Sequence, residues 1–312
     1  MKYIGKKLIT LAGTLLLVSF IAFLLFQIVP GDPVTAILGT EYTEERAETL
    51  REEMGINEPV LVRYGNWLKD FVRGDFGTSY KYKMPVTKLI SDKLPVTAYL
   101  AIMSLVIIIV VSVPVSVLMA RFGKRKISKG FDILNQSVMA IPAFFLGIII
   151  IIVFGLILKW FTPGAYVDYR DNLSGFLVYI IPAAFAVAIP KIAMMVKFIK
   201  NSLVQELESD YVRTAYSKGA GELYVLFRHV LRNGLMPAIT LLGMIIAEIM
   251  AGSIVVEQVF NLPGLSSILV SSVSNRDYPV VQAIVVYIAF VVIVCNCLVD
   301  ILYHIVDPRV RS

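Results

Sequence analysis

Glu248 stands in the middle of an apolar run, within Ile246-Ala247-Glu248-Ile249-Met250-Ala251-Gly252-Ser253. An ionisable side chain inside a membrane span is costly, so it marks a functional position by default. With Ser253 it is a candidate for lining an aqueous path, where a carboxylate favours a cation or the amino end of a peptide. A second reading stays open, in which Glu248 packs against a polar group of another subunit. Glu257 and Gln258 lie nearer the end of the same run, where an orienting structural role is favoured over substrate contact. Lys191, directly after Pro190, is a candidate partner for a carboxylate, while Lys197 and Lys200 are placed to snorkel toward the surface. Asn135 and Gln136 are further path candidates and, with Asn296, candidates for interhelical hydrogen bonds.

Other chemistries find no support. No G-x-x-x-x-G-K-[ST] loop is present to cradle nucleotide phosphates, so ATP must be handled by a partner. H-E-x-x-H and G-x-S-x-G are also absent, and His229 and His304 are the only histidines, which argues against an enzyme active site. Cys295 and Cys297 sit inside an apolar run, where packing is a better account than a disulfide or a metal site. No cofactor or metal is expected on this chain.

The elements that carry these residues are membrane spans. With 57% hydrophobic residues, 17% charged and a mean hydropathy of +0.77, the composition is that of an all-α polytopic membrane protein rather than a soluble domain. Lys2, Lys6 and Lys7 precede an apolar run from Leu8 to Val29. At about 1.5 Å per residue it crosses a hydrocarbon core of about 30 Å, and it reads as a retained first span rather than a cleaved signal. Further spans are expected over Val96–Ala120, Phe131–Lys159, Phe176–Val196, Ala238–Phe260 and Val280–Val306, six in all, with Pro142, Pro182 and Pro190 as kinks. A polar segment over residues 30–95 follows the first span and forms a small extracytoplasmic subdomain, helical over Glu41–Met54. The chain thus divides into residues 1–29, 30–95 and a permeation core over 96–312.

Cation placement sets the orientation. Arg121, Lys124, Arg125, Lys126 and Lys129 cluster between two spans, where a topogenic loop is favoured over a nucleic-acid patch. With the N-terminus inside, the inner segments also hold Lys2, Lys6, Lys7, Lys197, Lys200, Arg213, Lys218, Arg228, Arg232, Arg309 and Arg311. The short outer loops hold only Lys159, Arg170 and Arg276. Both termini and the segment 203–237 are therefore expected on the cytoplasmic side.

That segment is charged and helix-competent. Tyr211, Thr214, Ala215 and Lys218 share one face of a first helix, and Leu223, Leu226, Phe227 and Val230 make the apolar stripe of a second. Gly219-Ala220-Gly221 predicts a sharp bend between them.

Arg213-Thr214-Ala215, Gly219 and His229-Val230-Leu231 resemble the EAA loop of ABC importer permeases, which reads E-A-A, three residues, Gly, nine residues, I-x-L-P. Arg213 stands where Glu is expected and Arg232 where Pro is expected. DYVRTA, KGA and RHVLRN, with LREEMGINEP, RYGNWL, RGDFGTSY and VVEQVFNLPG, resemble the dipeptide, oligopeptide and nickel branch over nearly the full chain. The resemblance implies the type I importer fold in the cell membrane. It also implies a second homologous permease, two ATPase subunits that hold ATP and Mg, and an extracytoplasmic solute-binding protein. Docking to the ATPases would fall to Glu208, Asp210, Arg213, Thr214, Ala215, Lys218, Gly219, Ala220, Glu222, Arg228 and His229. Peptide is the favoured cargo, with nickel or a metal chelate as the alternative. The rival of another class is a stand-alone secondary transporter or channel, which predicts inverted repeats that the chain does not clearly display.

Overall fold

The computed structural model describes residues 2–28, 33–39, 42–53, 55, 57–123 and 126–306. Pro30–Asp32, Lys124, Arg125 and the close from Asp307, with Arg309 and Arg311, lie outside these residues, as do the side chains of Lys2, Lys6 and His304. No strand occurs among the described residues, and one antiparallel bridge joins Thr78 to Pro85.

Among the described residues, four helices are long and apolar enough to cross a bilayer. They lie over Lys7–Leu25, Val86–Phe122, Leu173–Leu207 and Tyr278–Ile301, and two bent helix pairs bring the possible spans to six. The chain forms two compact units, Met1–Thr97 with Pro263–Val294, and Ala98–Leu262 with Cys295–Ser312.

The first unit holds α1 (Lys2–Ile28), α2 (Pro33–Leu38), α3 (Glu44–Glu53), α4 (Val60–Val72), the start of α5 (Val86–Phe122), α13 (Leu265–Ser274) and most of α14 (Tyr278–Val306). Val86, Leu89 and Ile90 of α5 pack with Leu265 and Ile268 of α13 and with Val280, Ala283 and Ile284 of α14. Burial of such aliphatic side chains is the dominant stabilising term where water is excluded. α4 docks on α1 through rings: Tyr64 meets Phe20 and Phe23 at 5.0 and 5.6 Å, and its hydroxyl shares a 2.8 Å hydrogen bond with that of Ser19. Asp277, fully buried, accepts from Ser79 Oγ at 2.5 Å, Tyr80 N at 2.9 Å and Lys81 N at 3.3 Å. Burial and, second, the Asp277 charge push the Tyr80 hydroxyl up to about 12.

The second unit is built around α8 (Leu173–Leu207), a continuous helix that runs through Pro182 and Pro190. Against it pack α6 (Lys126–Met139), α7 (Ala143–Ile150, continued by a π turn over Ile151–Ile157) and α12 (Met236–Val259). The small faces of the helices set the approach. A Cβ added at Gly147 would lie 3.2 Å from the Phe260 ring, and one at Gly243 would lie 2.5 Å from Asn296 Oδ1.

The expected third span, Phe131–Lys159, with its kink at Pro142, takes the form of a bent helix pair. α6 and α7 meet at 95° across residues 140–142, where Pro142 caps α7 with φ −63° and ψ 140°. A proline biases the residue before it away from the helical region, so the apolar run breaks there rather than bending gently. The helix predicted within 30–95 is present as α3, with Glu41 and Met54 outside the described residues.

Candidate functional site

The segment after α8 is a helix, a reversal and a second helix. α9 covers Asp210–Ser217, then α10 (Glu222–Val225), a π turn (Leu226–Val230) and α11 (Leu231–Gly234) lead into α12 with a 51° bend. The reversal has a definite hydrogen-bond pattern. Gly219 N donates to Tyr216 O at 2.9 Å and Ala220 N to Ala215 O at 3.2 Å, with Gly219 at φ +82°. These are the paired bonds of a Schellman ending, which places a glycine in the left-handed region just past the helix. Only Gly219 uses that freedom. Gly221 caps α10 at φ −70° and ψ 152°, which other residues also adopt.

Contacts within the unit fix both helices to the spans. Tyr211 donates to Glu206 Oε2 at 2.5 Å, and burial followed by this bond raises its pKa. Arg121, in the last turn of α5, donates to Glu222 Oε1 at 3.1 Å. Val212, Val225, Leu226 and Val230 are the buried anchors. A Cβ on Gly234 would lie 2.5 Å from Leu203 Cδ2, so α11 rests directly on α8.

The expected apolar stripe is corrected in part. Leu226 and Val230 are buried, but Leu223 is 54% and Phe227 57% exposed. The π turn over Leu226–Val230 closes i→i+5 bonds, so residues three apart, Leu223 and Leu226 or Phe227 and Val230, no longer share a face, while those four apart do. Phe227 and Leu223 are left on the surface with Tyr216 and Tyr224, among the exposed Glu208, Asp210, Arg213, Thr214, Lys218, Gly219, Glu222 and Arg228. Ala215, Ala220 and His229 are half-buried, and His229 meets the Tyr224 ring edge-on at 5.7 Å.

Within the span region, Lys191 of α8 pairs with Glu248 of α12, in direct hydrogen-bond contact, so Glu248 finds its partner inside this chain. The two side chains keep 21% and 41% of their surface open. A lone charge at mid-span costs about 2.5–3.5 kcal/mol on insertion scales, and pairing answers much of that cost. Ser253 is fully buried, its hydroxyl donating to the Met250 carbonyl at 3.2 Å. Glu257 is fully buried and Gln258 exposed.

A polar ladder joins α6 to α8. Lys200 Nζ donates to both Asp132 oxygens at 2.5 and 2.6 Å, Lys197 to Gln136 Oε1 at 2.6 Å, and Asn135 Nδ2 to the Ala193 carbonyl at 2.7 Å. Lys200, expected to snorkel outward, is instead 5% exposed. The signal missed was Asp132 itself, an acid one turn before Gln136 on the facing helix.

Residues 112–312 match the family described as binding-protein-dependent transport system inner membrane component, and residues 1–101 its N-terminal part. An oligopeptide transport system permease protein, AppB, from Bacillus subtilis (strain 168) is 37% identical over 312 residues, 99% of each chain. A probable peptide ABC transporter permease, y4tP, from Sinorhizobium fredii is 32% identical over 99% of each. The glutathione transport system permease protein GsiC of Escherichia coli O1:K1 / APEC is 35% identical over 100% of this chain and 99% of that protein. With both family regions matched and relatives similar along their whole length, the chain belongs to the binding-protein-dependent transport system inner membrane components, as a permease subunit of an ABC importer.

Proposed function

We propose that this permease forms, with a second homologous permease, the path through which short peptides cross the cell membrane. Two partner ATPases hold ATP and Mg, and an extracytoplasmic binding protein delivers the peptide. The termini and α9–α11 lie on the cytoplasmic side in this reading, which the placement of Lys and Arg supports. Closure of the ATPases on ATP draws α9–α11 inward, tilts α8 and α12 through their direct contacts, and opens the cavity outward. This is alternating access powered by nucleotide. Peptide cargo is supported by the relatives named for oligopeptides, peptides and glutathione, which disfavours nickel.

The observation that carries this reading is the exposed face of Tyr216, Leu223, Tyr224 and Phe227 on a bent helical pair anchored to two long helices. Apolar and aromatic side chains grouped among charges are what a partner subunit covers. The test is peptide uptake into vesicles carrying the assembly with or without its ATPases. Uptake is expected only with ATPases and ATP. Uptake that survives their removal would establish a stand-alone secondary transporter or channel instead.

A further inference from the structure

The Lys191–Glu248 pair is placed differently from the other ion pairs of its unit. In Lys200–Asp132 the lysine is 6% and the acid 52% exposed, and in Arg121–Glu222 both are about half exposed, whereas Lys191 and Glu248 keep 21% and 41% of their surface open with Glu248 at the middle of a span. Thr240, Met244, Glu248, Val255 and Gln258 are exposed or partly exposed and lie along one side of α12, while Ile245 and Ile249 on the opposite side are buried in the unit. A helix face that presents an open carboxylate and ammonium is unsuited to lipid tails and suited to a watered path.

The pair has a second property. It is neutral overall, with its two charges on different helices, α8 and α12, which are the helices that α9–α11 join. Any motion that shifts α8 against α12 parts the pair and leaves each charge in need of a new partner.

Resting on the peptide-importer reading, we propose that Lys191 and Glu248 are specificity-determining residues that receive a zwitterionic peptide. Glu248 takes the cargo ammonium and Lys191 the cargo carboxylate. With the path empty the two satisfy each other. With cargo present one ion pair is exchanged for two, so no charge is stranded within the membrane. No bond is made or broken, and the exchange reverses when the helices return. A cargo lacking either terminal charge would strand one of the two residues, which is how the pair discriminates.

The test compares this account with a purely structural pair. Replacing an internal ion pair by apolar residues of similar size often leaves packing unharmed. The complete assembly with K191M/E248M is reconstituted in proteoliposomes, with trialanine on the binding protein as probe. ATP hydrolysis stimulated by the loaded binding protein is expected to stay within about twofold of wild type, while trialanine uptake falls by at least about tenfold. Uptake within about twofold of wild type would overturn the proposal, because the pair would then be packing alone. If the double variant does not assemble, M244C in a C295S/C297S background decides. Its thiol, one turn from Glu248, is expected to react with a water-soluble maleimide and to be shielded by trialanine-loaded binding protein with ATP. Absence of reaction, or reaction indifferent to cargo, overturns the proposal. A wild-type assembly that hydrolyses ATP yet imports no peptide would sink the peptide reading and this inference together. Import that persists in the variant sinks the inference alone.

Discussion

Gly234 and Leu203 approach so closely that a methyl group on the glycine would stand 2.5 Å from the leucine Cδ2 and 3.4 Å from its Cα. Leu203 is fully buried, so it has little room to turn aside. The contact is where α11 bears on α8, with no room for a larger side chain between them.

Gly234→Val is therefore expected to destabilise this unit by about 1–3 kcal/mol through overpacking. It is also expected to separate ATP hydrolysis from uptake, because α11 no longer seats on α8. Stimulated ATP hydrolysis and peptide uptake measured together in proteoliposomes would check this. Equal retention of both would show that the seat is not needed.

At Gly219 the surroundings are open, with no atom within 4 Å of an added Cβ, so only backbone conformation opposes a substitution. Gly219→Val should cost about 1–2 kcal/mol locally, since φ +82° is unfavourable for any L side chain. The expected result is a chain present in the membrane at normal level with uptake abolished. Normal uptake in this variant would mean that the bend is dispensable.

Asp132 and Lys200 should respond unequally to truncation. The Lys200 side chain is 6% exposed and that of Asp132 52%. Asp132→Ala leaves a buried ammonium without its carboxylate, at a cost of about 3–5 kcal/mol. Lys200→Met leaves a carboxylate that water can reach and should cost under about 1 kcal/mol. Thermal unfolding of the two purified variants in detergent would test the asymmetry, and equal midpoints would contradict it.

In the first unit, Asp277→Ala removes the acceptor of two amides and one hydroxyl around Ser79–Lys81. Donors left unsatisfied in a buried place cost about 1–3 kcal/mol. Faster hydrogen exchange at the Tyr80 and Lys81 amides is expected, with exchange across α8 unchanged. Unaltered protection at those two amides would show that the carboxylate is not what orders the turn.

Much of this architecture could be read from residue order because the bilayer imposes a strong, simple pattern. Long apolar runs announced α1, α5, α8, α12 and α14, and Gly219 announced the reversal before Glu222 because glycine is the residue a left-handed ending selects. Lys191 announced a carboxylate partner, since a cation inside a span calls for one. Three features were hidden. The 95° break at Pro142 lies inside an unbroken apolar stretch, where hydropathy cannot separate a kink from a corner. The π turn at Leu226–Val230 shifts the helical phase without any marker residue. The seating of Lys200 against Asp132 depends on two helices remote in sequence, which one chain's periodicity cannot align.

The helix α8 has 35 residues, about 52 Å at its ordinary rise, against a hydrocarbon thickness of about 30 Å. Only Glu208 and Ser209 separate its end from α9. Adding a single residue anywhere between Lys191 and Lys200 would turn everything beyond it by about 100°. Lys200 would swing off Asp132 and Leu203 off Gly234 in the same stroke. Through this stretch descendants of the chain can exchange letters but not alter their number, and insertions and deletions are expected to gather in the connections such as residues 158–172.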